Sequence, residues 1–327
     1  MEEEIIKMFG IKELKEKIEI TETTVECPVK GCKESVKRQR KVFRKEDRFK
    51  CPKHHLFISP STFEYPHESD NLLWKEKSDT TLFEKIKEVK RESRMSRDNS
   101  EDAVTWNVFR FLERNNLIEG FLSSITGLHL KSSEVIYWSY SQKEDDVLSK
   151  LNETRREFGE AIRRSSEPDI IVKTDKALFF IEAKLTAGNK TSPGNENSSK
   201  KYESGGHNWF SKVFKSDYKT IAIIEQKYEL LRFWLLGTYM AKQQDLNLYL
   251  INLVLSEREI STESIFKRHI KETARRKFLR ITWEDIYRYI FSIDSLKDKD
   301  IILNYFKNKT IGYDGEGKLQ KAFLVEL

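Results

Sequence analysis

The chain is poor in cysteine, with three among 327 residues: Cys27, Cys32 and Cys51. So small and odd a number gives no disulfide framework. Long apolar runs are also missing. The longest stretches, at 230–241 and 248–255, are short and interrupted, well below the about 20 residues that span a bilayer. The opening Met1-Glu2-Glu3-Glu4 is acidic where a secretory leader needs a basic and then an apolar segment. These absences lead us to expect a soluble, cytoplasmic protein with no membrane partner.

What is present points to a folded chain. Aromatic residues make up 12% and charged residues 34%, and a disordered chain lacks so much aromatic surface. The length suggests about two domains at roughly 150 residues each. The net charge of +6 comes from 59 Lys+Arg against 53 Asp+Glu. Between Lys33 and Lys50 lie nine basic residues, Arg38, Arg40, Lys41 and Arg44 among them, and three acidic ones. A compact basic segment suits a polyanion, and nucleic acid is the commonest partner. The plainer alternative is a solvated charge run.

The cysteines bracket that segment. Cys27 and Cys32 enclose Pro28-Val29-Lys30-Gly31, and Cys51 is followed by Pro52-Lys53-His54-His55. The pattern reads as two knuckles supplying four N/S ligands to tetrahedral zinc. Cys27, Cys32, Cys51 and His54 form the set, with His55 as the reserve fourth ligand. No open coordination position is evident, so the zinc is expected to be structural, with the basic loop displayed on a short hairpin. Such a module fits nucleic acid or a protein partner.

Three regions follow: a zinc-ribbon-like basic module at 1–75, a helical connector at 76–100, and an α/β domain at 101–327. Apolar spacing predicts helices at 80–97 and 101–115, the second capped by Asn99 or Ser100. A strand is expected at 135–140 and a charged helix at 146–164. Two apolar runs, 170–172 and 177–183, flank a turn at 173–176. Residues 186–217, rich in Gly, Ser, Asn and Lys, read as a mobile insertion. Beyond it come a helix at 225–244, a buried strand at 248–255, a helix at 264–277, a strand at 278–282 and a closing helix at 283–291. Strands alternating with helices indicate an α/β layer fold.

The chemistry centres on Pro168-Asp169 and Glu182-Ala183-Lys184. If the two runs form a hairpin about 173–176, the register that sets Asp175 opposite Lys176 also sets Asp169 opposite Glu182, on one sheet face. Strand alternation sends Lys184 to that same face. Opposed carboxylates repel unless a cation lies between them, and Mg²⁺ prefers carboxylate and carbonyl oxygen. A surface hairpin with a charged face is the bland alternative. Against it, the acids abut runs that are apolar on both faces.

Here the sequence resembles the PD-(D/E)xK nuclease superfamily, the restriction-endonuclease-like fold. Pro168-Asp169 matches its proline–aspartate element, and Glu182-Ala183-Lys184 matches its (D/E)xK element. The resemblance covers roughly 95–290, by order of elements rather than by extended identity. It implies a mixed central sheet flanked by helices, and Mg²⁺ or Mn²⁺ held by Asp169, Glu182 and the Ala183 carbonyl. Lys184 would serve the attacking water. It further implies a DNA endonuclease of the restriction or defence type, with a homodimer suited to double-strand cleavage. Glu101 is the choice for a first-helix acid, with Asp102, Glu157 and Glu160 as competitors, and Gln226 for a polar residue opening the helix after the lysine strand. Tyr228 and Arg232, with Lys200, Lys201 and His207 of the insertion, are candidate substrate contacts. A non-catalytic nucleic-acid-binding protein on the same scaffold is the alternative.

Overall fold

The structure is a computed structural model that describes residues 13–40, 42–90, 94–161, 167–194 and 199–325. In chain order the strands and helices begin with β1 (Thr24–Glu26), β2 (Ser35–Lys37), β3 (Phe57–Ile58) and β4 (Phe63–Glu64). Helices α1 (Lys77–Val89), α2 (Glu101–Arg114) and α3 (Ile118–Thr126) follow, then β5 (Ser133–Tyr137), β6 (Tyr140–Ser141) and β7 (Asp146–Val147). Next come α4 (Ser149–Glu157), β8 (Ile170–Thr174), β9 (Ala177–Ala183), α5 (Ser199–Val213), α6 (Tyr228–Gln243) and β10 (Asn247–Val254). The chain closes with α7 (Thr262–His269), β11 (Arg276–Thr282), α8 (Trp283–Phe291), α9 (Lys299–Asn308), β12 (Thr310–Tyr313) and β13 (Leu319–Lys321). No helix among the described residues is long and apolar enough to cross a membrane.

Two compact units divide the chain. One comprises Met1–Thr80, Glu92–Phe111 and Ile290–Leu327; the other comprises Thr81–Arg91 and Leu112–Tyr289. This replaces the expected boundaries, because residues after 290 return to the cysteine-bearing unit. There, Tyr313 and Leu319 share a core with Cys27, Cys32, Cys51, Ile58 and Phe63. Backbone bonds fix the return: Ile18 N–H donates to Gly317 O at 2.9 Å and Leu319 N–H to Glu16 O at 2.9 Å. The expected connector at 76–100 is an anchor as well, since buried Asp98 accepts from Lys309 Nζ at 3.3 Å. Burial pushes the Asp98 carboxyl up, although the Lys309 ammonium pulls it down.

In the second unit seven strands lie in the order β11-β10-β9-β8-β5-β6-β7. β9, β10 and β11 are parallel, while β8 and β5 continue the sheet antiparallel. The sequence of β9, Ala-Leu-Phe-Phe-Ile-Glu-Ala, is buried at every position, as a strand covered on both faces must be. α6 lies between the parallel strands β9 and β10 in sequence, as a crossover helix does. Its Leu231, Trp234, Leu235 and Met240 pack into one core with Leu178, Phe180, Leu250 and Phe278.

The supposed mobile insertion contains α5, whose Tyr202, Trp209, Phe210 and Val213 are buried. Gly and Ser at its start mask the apolar positions that follow. The helix is broken where Gly206 adopts φ +54° against Phe158 and Tyr239. A side chain there would collide with both rings and would also need a left-handed backbone. The expected helix at 264–277 ends at His269, and β11 begins two residues earlier than the apolar run suggested.

Candidate functional site

The first unit holds a thiol–imidazole cluster. Ligand atoms of Cys27, Cys32, Cys51 and His54 all lie within 4.8 Å of one another. His54 Nδ1 is 3.5 Å from Cys27 Sγ and 3.8 Å from Cys51 Sγ, and the Cys32 and Cys51 sulfurs are 3.9 Å apart. Zn–S bonds of about 2.3 Å and Zn–N of about 2.0 Å give tetrahedral edges of about 3.8 and 3.5 Å, so the donors are spaced for zinc. Local backbone sets this up: Gly31 takes φ +75° in the first knuckle, and Cys32 N–H closes its turn on Val29 O. His54 completes the cluster that could hold a metal; exposed His55, at φ +56°, is not in the set. Burial pushes the metal-free Cys27 thiol up, so metal binding has to displace its proton.

The basic segment is less available than its charge suggests. Arg38 Nη1 donates to Thr21 O and Arg40 Nη2 to Glu22 O. Glu46 faces Arg44 at 3.7 Å and Arg48 at 2.7 Å, while Lys45 pairs with Glu64 and Lys50 with Asp47. Lys41 lies outside the described residues. The hairpin is β1–β2, closed over the first knuckle, whereas most of the basic segment runs on beyond β2. That corrects the expected display of the basic residues on a hairpin.

In the second unit the anticipated register is present. Ile170 opposes Ile181 and Lys173 opposes Leu178, which continues to Asp169 opposite Glu182. Asp169 Oδ2 accepts the Ala183 N–H at 2.8 Å and Oδ1 accepts the Trp138 indole N–H at 3.2 Å. Glu182 is 3% exposed; its Oε1 accepts from Lys184 Nζ at 2.5 Å, and its buried Oε2 has no hydrogen-bond partner among the described residues. Burial pushes the Glu182 carboxyl well up; the Lys184 ammonium opposes this, and the charges of Asp169 and Glu229 add to it. A site with surplus negative potential and an unsatisfied carboxylate oxygen suits a cation.

Glu101 opens α2. Gln226 is exposed at φ +52°, and its carbonyl accepts from Thr191; α6 starts only at Tyr228. Arg232 is 2% exposed, with its guanidinium on Glu160 at 2.8 and 2.7 Å. That geometry corrects its assignment as a phosphate contact, and it withdraws Glu160 from the metal competitors. Lys200 is exposed, while Lys201 lies over the Tyr202 ring.

Two contributors escaped the sequence reading. Glu229, in the first turn of α6, lies 3.8 Å from Lys184 Nζ. Its signal was an acid just after the helix start. Asn252 sits in register with Glu182 on β10, fully buried, and accepts from Asn189 Nδ2 at 2.8 Å. A lone amide inside an apolar strand marked it. In comparisons with known proteins, the chain matches no family model, no curated sequence and no solved structure.

Proposed function

We propose that the second unit is a divalent-metal-dependent nuclease of the PD-(D/E)xK type, acting on DNA. In this reading the first unit is a zinc-stapled module that grips nucleic acid. One observation carries the reading. Asp169, Glu182 and Lys184 gather at the end of β9, around a buried carboxylate oxygen that lacks a partner. The antiparallel neighbours β5, β8 and β9, followed by helix α6 and the parallel strand β10, also support it, with β6, β7 and α4 intervening between β5 and β8.

The donor set fits Mg²⁺ or Mn²⁺, with Asp169, Glu182 and the Ala183 carbonyl as oxygen ligands. Such an ion, when bound, polarises a phosphate and lowers the pKa of water. The chain's own residues orient the reaction. Lys184, shared between Glu182 and Glu229, presents an ammonium that can hold the attacking water or meet charge on a phosphate oxygen. Trp138 and the Ala183 amide fix the Asp169 carboxylate.

Plasmid and linear DNA, with RNA beside them, incubated with Mg²⁺ or Mn²⁺, test this. Wild type should cleave, while Asp169→Asn, Glu182→Gln and Lys184→Ala lose at least about 100-fold, the scale of a lost charge-stabilising group. Calorimetric Mn²⁺ binding should fail in Glu182→Gln. Equal cleavage by all four proteins defeats the proposal. A non-catalytic nucleic-acid-binding protein is the second reading, favoured by the Lys184 ion pair that already occupies Glu182 Oε1. Nucleic-acid binding without Mn²⁺ uptake would select it.

A further inference from the structure

Residues 267–277 hold six lysines and arginines against one glutamate, a denser positive run than the cysteine-flanked loop. They occupy the end of α7, the segment after it and the start of β11. The ends of α5 and α6 bring exposed Lys212 and Lys242 to the same place. Arg276 donates to Lys212 O at 3.0 Å and to Lys271 O at 2.6 Å, and Lys271 Nζ donates to Ser211 O at 2.7 Å. Lys242, Arg275 and Arg276 line a cleft of about 390 Å³ floored by Trp209. The ammoniums of Lys242 and Lys212 lie 4.7 and 5.5 Å from that indole.

The manner in which these cations are held is informative. Backbone carbonyls and an indole position Lys212, Lys242, Lys271 and Arg276 without cancelling their charge, whereas Lys267 and Arg275 are paired with carboxylates. The nearby acids are already engaged: Asp245 with Arg275 at 2.8 Å, and Glu263 and Glu272 with Lys267 at 2.7 and 4.0 Å. By contrast, Arg44, Lys45, Arg48 and Lys50 of the cysteine-flanked loop face carboxylates. None of the large exposed hydrophobics, Val42, Ile224, Ile260, Phe291 and Leu324, belongs to the patch. A protein partner would want an apolar anchor there; a phosphodiester backbone needs none.

We propose that this surface binds the phosphate backbone of a nucleic acid, at a place separate from the carboxylates. It lies at the starts of β10 and β11, whereas Glu182 is the last residue but one of the parallel strand β9. Five residue steps along β10, from Asn247 to Asn252 in register with Glu182, make the separation roughly 16 Å. The surface is therefore a second contact, which retains or positions nucleic acid away from the cleavage edge. This goes beyond the nuclease reading and stands whether or not the carboxylates catalyse.

Fluorescence anisotropy of the full chain with a labelled 30-base-pair duplex, in EDTA across a salt series, tests it. Lys212→Gln/Lys242→Gln/Lys271→Gln should flatten the log Kd against log salt slope by about 2–3 and weaken binding roughly 10- to 100-fold near 150 mM salt. The triple arginine variant should keep both. Lys143→Gln/Lys150→Gln/Lys297→Gln, an equal charge change elsewhere, should shift the slope by less than about 1. Unchanged binding in the first variant overturns the proposal, as does an equal effect in the control. So does selective loss of polyglutamate binding, which would assign the surface to an acidic protein. Cleavage with Mg²⁺ is scored separately, so each reading can fail alone.

Discussion

Replacing Arg232 by alanine separates a structural cation from a substrate contact. Its guanidinium forks onto Glu160, which also accepts from Tyr202 Oη at 2.9 Å. Glu160 is 6% exposed, and the next cation, Arg155, stands 4.0 Å away. Burial alone would raise the Glu160 carboxyl, but Arg232 overrides that and holds it below its ordinary value. Stripping the partner leaves a buried charge, a change that costs about 3–5 kcal/mol. Arg155 and Tyr202 remain, so we expect about 3 kcal/mol, read as a lower urea midpoint by circular dichroism and tryptophan fluorescence. The sign of the pH dependence is fixed as well. In wild type the lowered carboxyl adds stability above its unfolded pKa, and this is lost as pH falls through the depressed folded value. In Arg232→Ala, burial dominates and the pKa rises, so the deficit relative to wild type should shrink between pH 7 and 5. A Glu160→Leu/Arg232→Leu double variant should recover most of the loss. A loss below about 1 kcal/mol, accompanied by a large fall in nucleic-acid affinity, would refute the reasoning.

The thiol–imidazole cluster should carry about one zinc per chain by atomic emission, and Cys27→Ser should lose it. Because burial raises the Cys27 thiol pKa, zinc uptake should release protons and strengthen as pH rises, measurable by calorimetry in two buffers. Gly312 sits at φ +110°, and a side chain there would strike the Ser61 carbonyl. Gly312→Ala is accordingly expected to cost about 2–3 kcal/mol, whereas Gly315→Ala, with nothing within 4 Å, should stay within about 0.5 kcal/mol by thermal melting.

Short-range features were readable in advance. The register of Asp169 against Glu182 followed from a four-residue turn between two apolar runs, because hairpin pairing is set by the residues that fold back on themselves. The two metal knuckles were readable for the same reason, each being a tight turn. Arg232 was not. Its partner Glu160 lies 72 positions away, and an arginine on a helix looks the same in sequence whether it meets a phosphate or a buried acid. Glu229 likewise looked like an ordinary first-turn carboxylate, until the crossover placed it near Lys184.

By itself, then, the sequence determined the alternation of strands and helices, the carboxylate pairing and the N/S ligand set, all written in periodicity and near-neighbour spacing. Only the tertiary structure decided that the last residues complete the cysteine-bearing unit, and that α5 is packed rather than loose. It alone decided which cations are spent on internal carboxylates and which, such as Lys212, Lys242 and Lys271, are held on carbonyls or an indole at the starts of β10 and β11. These outcomes rest on contacts between segments tens to hundreds of residues apart, where composition and spacing carry no information about which groups meet.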